Sequence, residues 1–510
     1  MTTRFNLLGA KPYASSVQRF LIPVAIFLSV AIGLFILQGN RMVLDAIDEG
    51  ILLEPAQRIA EGAVPYKDFF IHMGPGSYWI QALVFKLFGI SIHAARIPVI
   101  VDLALQCALV FWLTARLSTQ ATATFTTILF TCFQTANTAT LIGQHRWDSA
   151  TLALIAICCV VEASTPCYVI AGIALGAAAW CTPSLALLIP ITLACTYRKG
   201  YIQVGMGVAI TAAAGAMLLG AQGALLPFWD QMQWLRANYS SVNITPYGAV
   251  NGGIGRVFEG TEGIAKVVVL VMFTCIELPA ILPITGAAIW CYLMSRKQQG
   301  VFLLVSMLAL VITSYPRPDV GHLAFVAALP YVMTMVGIST LIPAGKGIRY
   351  VVVPLLLALA FASNTIGTWR GTEEILSPVG KLKVEKTFKA PMEQLLSQVR
   401  PGNTLYVHPY MPIHYFITQA TNQTKFSYLG PGMMTATEEA RVLSDLKTKP
   451  PEWLLYQRLT EEGFLRVFPS AVGIDPHFRT LESWLEQNYK PSSPPLNIAG
   501  YELWQRSSGR

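Results

Sequence analysis

Two adjacent carboxylates, Asp48 and Glu49, open a loop that also carries Asp68, His72 and the aromatic pair Tyr78-Trp79. The loop occupies residues 39–95, between the apolar runs Phe20–Leu37 and Ile97–Leu113. An acid at the mouth of a membrane bundle is costly to place and usually has a role beyond folding. There it can act as a general base, taking a proton from an incoming hydroxyl or amine. The plainer reading is helix capping, because Asp48-Glu49 followed by a helical run to Ala60 suits the positive end of a helix dipole.

Two further polar groups stand at the expected outer ends of apolar runs. Gln144-His145-Arg146-Trp147-Asp148 sets a cation beside a carboxylate. Arg146 or His145 could hold a phosphate, and Asp148 could complete an acidic site with Asp48. The alternative is a turn in which Asp148 caps the next helix and Arg146 meets headgroups. In Tyr315-Pro316-Arg317-Pro318-Asp319-Val320-Gly321-His322 the prolines fix a turn around Arg317, whose planar fork matches phosphate oxygens. Alone, that stretch reads as a proline turn with a snorkelling arginine. Acids and cations on separate spans at one membrane face, taken together, suit a phosphorylated lipid substrate.

The elements that must position these groups are membrane helices. Of 510 residues 54% are hydrophobic and 13% charged, where soluble domains carry roughly 25% charged. The mean hydropathy is +0.51. A span needs about 20 apolar residues. On that basis about eleven spans are predicted, near 20–38, 96–116, 122–142, 149–164, 168–181, 184–197, 203–226, 264–294, 301–315, 321–342 and 350–368. The segments around 168–197 are short, and Pro183 between them allows one broken helix instead. Phe20–Leu37, preceded by Arg4, Lys11 and Arg19, exceeds the signal-peptide core of about 7–15 residues and reads as a retained first helix.

A cytoplasmic N-terminus puts Arg116, Arg198-Lys199, Arg296-Lys297 and Lys346/Arg349 in short inner turns. Loops 39–95 and 227–263, Tyr315–Asp319 and everything after residue 369 then lie outside. Arg58, Lys67, Arg146 and Arg236 on that side make the charge bias imperfect. The net charge of +8 fits headgroup anchoring, and no interleaved basic and aromatic stripe points to nucleic acid. The nine cysteines all fall in or beside apolar runs, with no zinc-like spacing or disulfide framework.

Residues 370–510 change character and are expected to form a soluble α/β domain, with 1–369 as the transmembrane domain. Lys383–Val399 and Glu438–Lys447 read as helices; Thr404–His408, Trp453–Tyr456 and Tyr501–Gln505 read as strands. His408–Pro412 and Tyr428–Met433 are expected to follow strands and read most simply as ordinary strand-end loops, with a cleft lining as the alternative. Tyr78–Gly89 is expected to be an interfacial helix, with Trp79, Ile80, Leu83, Val84, Leu87 and Phe88 opposite Gln81 and Lys86. Gly252-Gly253-Ile254-Gly255 lacks the spacing and preceding strand of a nucleotide-binding turn, and Asn238-Tyr239-Ser240 and Asn243-Ile244-Thr245 fit a glycosylation sequon.

The order Asp48-Glu49-Gly50, Ala56…Ala60, Gly62, Pro65-Tyr66, Asp68, Gly74-Pro75, Tyr78-Trp79, Leu87-Phe88-Gly89 and Ala95-Arg96 resembles the GT-C membrane glycosyltransferases. The branch it is most similar to is the aminoarabinose-transferase and protein O-mannosyltransferase-like group. Arg146-Trp147-Asp148, Gly172–Pro190 and Arg317-Pro318-Asp319 with His322 continue the resemblance. It implies an all-α polytopic bundle of the GT-C kind and inverting transfer from a polyprenyl-phosphate sugar to a glycan, lipid or protein acceptor. The setting implied is the outer face of a bacterial inner membrane. Asp48 would be the general base, with Glu49 and Asp148 as supporting acids or ligands of a divalent cation, whose need the resemblance leaves open. Arg146, Arg317, His322 and His72 would meet the donor phosphate as polyprenyl phosphate departs. Aminoarabinose transferases carry a Lys followed by two prolines where this chain reads Met73-Gly74-Pro75, so that phosphate-binding Lys is missing. The competing class is a transporter or lipid-linked-sugar flippase, which would favour polar groups near midplane on paired, broken helices.

Overall fold

The computed structural model describes residues 16–44, 47–136, 142–250, 260, 262–294, 300–342, 352, 355–358 and 371–507. Its first part is helical. In chain order come α1 (Ser16–Gln38), α2 (Ile47–Ala60), α3 (Gly76–Phe88), α4 (Ile92–Leu117), α5 (Gln120–Ala136), α6 (His145–Glu162), α7 (Thr165–Cys181), α8 (Leu188–Thr196), α9 (Tyr201–Ala221) and α10 (Leu225–Asn238). Helices at Gly263–Ile276, Leu278–Met294, Val301–Ile312, Val320–Phe325 and Ala328–Leu341 follow.

This is an integral membrane protein with apolar helical spans. Among the described residues Phe20–Gln38, Ile92–Leu117 and Tyr201–Ala221 are each long and apolar enough to cross a bilayer. Gly263–Ile276 and Leu278–Leu293 do so only together, across a 64° bend, where a single span at 264–294 is expected. The shorter apolar helices Thr165–Cys181, Pro183–Thr196, Val301–Ile312 and Ala328–Leu341 occupy other expected spans. The helix broken at Thr182-Pro183 is one of the two arrangements the short segments allow. Most of the span at 350–368, the basic turns at Arg296-Lys297 and Lys346/Arg349, Arg4, Lys11 and the Gly252–Gly255 run lie outside the described residues.

α4 is the hub of the bundle. Leu103, Cys107, Val110 and Leu113 are fully buried in one core with Trp147, Ala153, Leu175, Met307 and Val332. Outward-facing side chains are apolar too: Phe20, Leu28, Ile32 and Ile36 of α1 are exposed, as lipid-facing positions are in a spanning helix. α3 buries Tyr78, Gln81, Ala82 and Phe85 and leaves Leu83, Leu87 and Phe88 exposed. That outward apolar edge is what an interfacial helix needs.

The C-terminal part is α/β. A hairpin of β1 (Thr372–Ser377) and β2 (Gly380–Glu385) precedes a sheet of β3 (Leu405–His408), β4 (Trp453–Tyr456), β5 (Tyr489–Pro491), β6 (Asn497–Ile498) and β7 (Tyr501–Arg506). The order is β3-β4-β7-β5, with β6 also on β7; β3 and β4 are parallel and the β7 pairings antiparallel. Helices Lys386–Gln398 and Ala436–Thr448 answer the two expected ones, the first beginning three residues later because Lys383–Glu385 belong to β2, the second closed by a Thr435/Glu438 capping box. The hairpin and the helices at Ile413–Thr418, Glu461–Val467 and Arg479–Asn488 go beyond the sequence-based expectation.

α2 is the seam between the two parts. A Cβ on Gly50 would lie 2.2 Å from the backbone nitrogen of Ile413, so only glycine allows this approach. Further along the helix, Gln57 and Gln419 exchange amide hydrogen bonds at 3.1 and 3.0 Å. Arg58 donates to the Thr424 carbonyl at 3.0 Å, and Ser427 donates to Glu54.

Candidate active site

A cavity of about 470 Å³ opens where α2, the loop after it, the start of α6 and the C-terminal part meet. Asp48 lines it from the first turn of α2. Gln144 Nε2 donates to Asp48 Oδ2 at 2.8 Å, which fixes the carboxylate without covering both oxygens. Asp48 is the second residue of α2 and not its N-cap, so what remains of the capping reading is its place at the positive end of the helix dipole, from which it also faces the cavity.

The loop 61–75 delivers His72 to the same cavity. It is pinned by Gln231 of α10, which accepts from the Ile71 amide at 3.1 Å and donates to the Tyr66 carbonyl at 3.0 Å. Cβ atoms on Gly74 and Gly76 would collide with Trp180 and Cys181, so this turn lies directly on the end of α7. His72 Nδ1 is 2.6 Å from the Tyr428 hydroxyl, and burial pushes the imidazole down to about 4. His72 thus offers the cavity a neutral ring rather than a charge.

Arg317 and His322 complete the wall. Asp319 organises both: Oδ2 accepts from Arg317 Nε at 3.3 Å, and Oδ1 bonds His322 Nδ1 at 2.8 Å. Burial alone would raise the Asp319 pKa, but the His322 bonds and the Arg317 charge hold it below the usual carboxylate range. Asp319 also caps the helix Val320–Phe325 by accepting from the His322 amide at 2.9 Å. Arg317 Nη2 donates to the Val467 carbonyl at 3.3 Å, and the guanidinium lies 5.7 Å from the Phe468 ring centre.

Three expected site residues are not on this wall. Glu49 is fully buried and ion-paired with Arg96, while also accepting from the Gly143 amide at 3.1 Å. One residue on from Asp48 is about 100° around a helix, and Glu49 points into the bundle. Asp148 lines a separate small void with Asp102, Gln81 and Gln144, so it does not form one acidic site with Asp48. Arg146 is buried and its Nη1 reaches the Thr313 carbonyl at 3.4 Å. Among the described residues no three His, Cys, Asp or Glu side chains converge as a metal site, and these carboxylates do not gather into a donor set for a divalent cation.

The wall also takes up residues the sequence reading left as the alternative or did not single out. Tyr410, Tyr428, Gly430, Pro431 and Met433 line the cavity, so the cleft-lining alternative for these loops holds and they form its roof. Tyr239 and Asn243 line it as well. Asn243 is buried, donates to the Tyr239 carbonyl at 2.8 Å and accepts from Arg317 at 3.5 Å. It is a wall residue and not an accessible sequon. The legible signal for the roof is the glycine-proline turn after Tyr428, which lets Leu429 donate to the Pro409 carbonyl at 2.7 Å and holds both loops together.

No protein-family model matches the chain, and no curated protein matches it either. Among solved structures the fold is shared with a bacterial ArnT and an archaeal oligosaccharyltransferase, over nearly the whole chain. ArnT from Cupriavidus metallidurans bound to undecaprenyl phosphate is similar at a TM-score of 0.56 and 12% identity, covering 97% of this chain and 99% of that one. Its apo state gives 0.50 and 14%, over 89% and 95%. The Archaeoglobus fulgidus oligosaccharyltransferase tethered with an acceptor peptide gives 0.50 and 11%, over 97% and 75%. At these identities the likeness is one of fold, and it meets the resemblance carried by the first loop.

Proposed function

We propose that the protein is an inverting glycosyltransferase that moves a sugar from a polyprenyl-phosphate donor to an acceptor at the outer membrane face. The observation that carries this reading is one cavity holding Asp48 on one side and the Asp319-braced Arg317 and His322 on another. The fold shared with ArnT, whose structure holds undecaprenyl phosphate, supports the donor class. In this reading Asp48 removes the proton of the acceptor hydroxyl or amine, and the freed lone pair forms the new bond to the anomeric carbon. The bond from that carbon to the phosphate oxygen breaks on the opposite face, and polyprenyl phosphate leaves with the electron pair. Arg317 meets the developing phosphate charge as a planar donor, and His322 adds a second contact. Residues 1–369 form the membrane domain and 370–510 an outer domain whose loops roof the site, with the N-terminus cytoplasmic.

The test is release of free polyprenyl phosphate from a panel of polyprenyl-phosphate sugars, with envelope extract as acceptor source. Purified wild type should release it, and a well-folded Asp48→Asn protein should not. Equal release by both would remove Asp48 from the mechanism. Movement of intact donor across vesicles without release would establish the transporter reading instead.

A further inference from the structure

The His145 ring ends a run of hydrogen bonds whose proton order is set at its far end. Ser149 Oγ lies 3.1 Å from the Arg146 carbonyl, which can only accept, so Ser149 donates there. Thr182 Oγ1 then donates to Ser149 Oγ at 3.0 Å. That leaves Thr182 Oγ1 to accept from His145 Nδ1 at 2.9 Å. Only this order satisfies all three bonds, and it places the ring hydrogen on Nδ1. His145 stands ahead of the expected span 149–164, and burial with the adjacent Arg146 holds its imidazole well below the usual range. The ring is neutral, and Nε2 keeps a lone pair. His145 lines the cavity, and Nε2 has no hydrogen-bond partner among the described residues.

A phosphate dianion or diester offers only acceptors, so it has nothing to give that lone pair. Sugar hydroxyl and amino groups do. Arg317 makes the converse demand, because a guanidinium only donates. The cavity therefore asks for a ligand with hydrogens at one place and anionic oxygens at another. Resting on the reading of this cavity as a donor site, we infer that His145 binds the transferred sugar by accepting a hydrogen bond from one of its hydroxyl or amino groups. This reverses the phosphate role its position beside Arg146 suggests in the sequence. Thr182, at the break after α7, is the residue that orients it.

The experiment measures binding to the full chain in nanodiscs with two kinds of probe. One is undecaprenyl phosphate; the other is the same lipid phosphate bearing glucose, mannose or an aminopentose. His145→Ala is expected to weaken the best-bound glycosylated probe about tenfold, as for one lost hydrogen bond, and to leave undecaprenyl phosphate unchanged. Thr182→Val keeps the ring but removes the acceptor that fixes its tautomer, and should give a smaller loss of the same selectivity. Arg317→Ala should weaken both probes. If His145→Ala weakens both equally, or neither, while Arg317→Ala weakens both, the sugar role falls and the phosphate reading stands. If wild type binds no probe, the lipid-phosphate reading falls and this inference with it.

Discussion

Glu49 and Arg96 close a buried ion pair one residue from Asp48, with Arg96 Nη2 at 3.1 Å from Glu49 Oε2. Arg96 also reaches the Arg41 carbonyl at 3.1 Å, so the pair ties the start of α2 to α4 and to the start of the first loop. Two neighbouring acids therefore have different work. Glu49→Ala leaves the Arg96 charge unpaired, and should cost about 3–5 kcal/mol, read as a large fall in the thermal midpoint. Asp48→Asn should leave that midpoint near wild type while lowering donor release by about a hundredfold or more.

Gln144 offers a milder test of the same carboxylate. Its amide holds Asp48 Oδ2 at 2.8 Å. Gln144→Leu keeps the volume and removes the bond, so turnover should fall about tenfold through lost positioning. The Michaelis constant for the donor should hardly change, and steady-state kinetics separates the two.

Arg317→Lys keeps the charge and loses the fork. The substitution should raise the donor Michaelis constant roughly tenfold. A variant with an unchanged constant would show that the phosphate lies elsewhere on the wall.

Acid should weaken the fold in a defined window. Burial pushes the imidazoles of His72 and His414 down to about 4 from 6.5. A group with a depressed folded pKa contributes stability above its unfolded value and loses it as pH falls towards the folded one. Each ring therefore removes stability between pH 6.5 and about 4, roughly 3 kcal/mol at most. Neither nitrogen of His414 has a hydrogen-bond partner among the described residues. Unfolding midpoints measured across pH should accordingly be flatter in His414→Phe than in wild type.

Gly50→Ala probes the seam. The added Cβ would lie 2.2 Å from Ile413 backbone, and backbone cannot yield as a side chain can. The substitution should cost about 1–3 kcal/mol and should increase protease cutting between the two parts.

Asp48, Gln144, Arg317 and His322 are legible in sequence because polar types at the ends of apolar runs stand out. What a run of letters does not carry is direction. Asp48 and Glu49 are adjacent, yet one faces the cavity and the other the bundle. Asp148 and Arg146 likewise stand at the start of α6 beside Gln144 and His145 but do not line the cavity: Asp148 borders a separate void and Arg146 lies buried against the Thr313 carbonyl. The strands β3, β4 and β7 show through their apolar and aromatic content, whereas β5 and β6 are too short to leave a pattern. The roof was hardest to see. Tyr428 meets His72 across more than three hundred residues of chain, and no local spacing encodes such a meeting.

That distance also orders events in time. While the chain is being made, Asp48 emerges long before Tyr410, Tyr428 and Phe468, the residues that turn an open bowl into a cavity. Until those residues are made, Asp48 lacks the C-terminal part of the wall that lines its cavity. In the proposed reading competence therefore arrives only near the end of synthesis, once the C-terminal loops that line the cavity are in place.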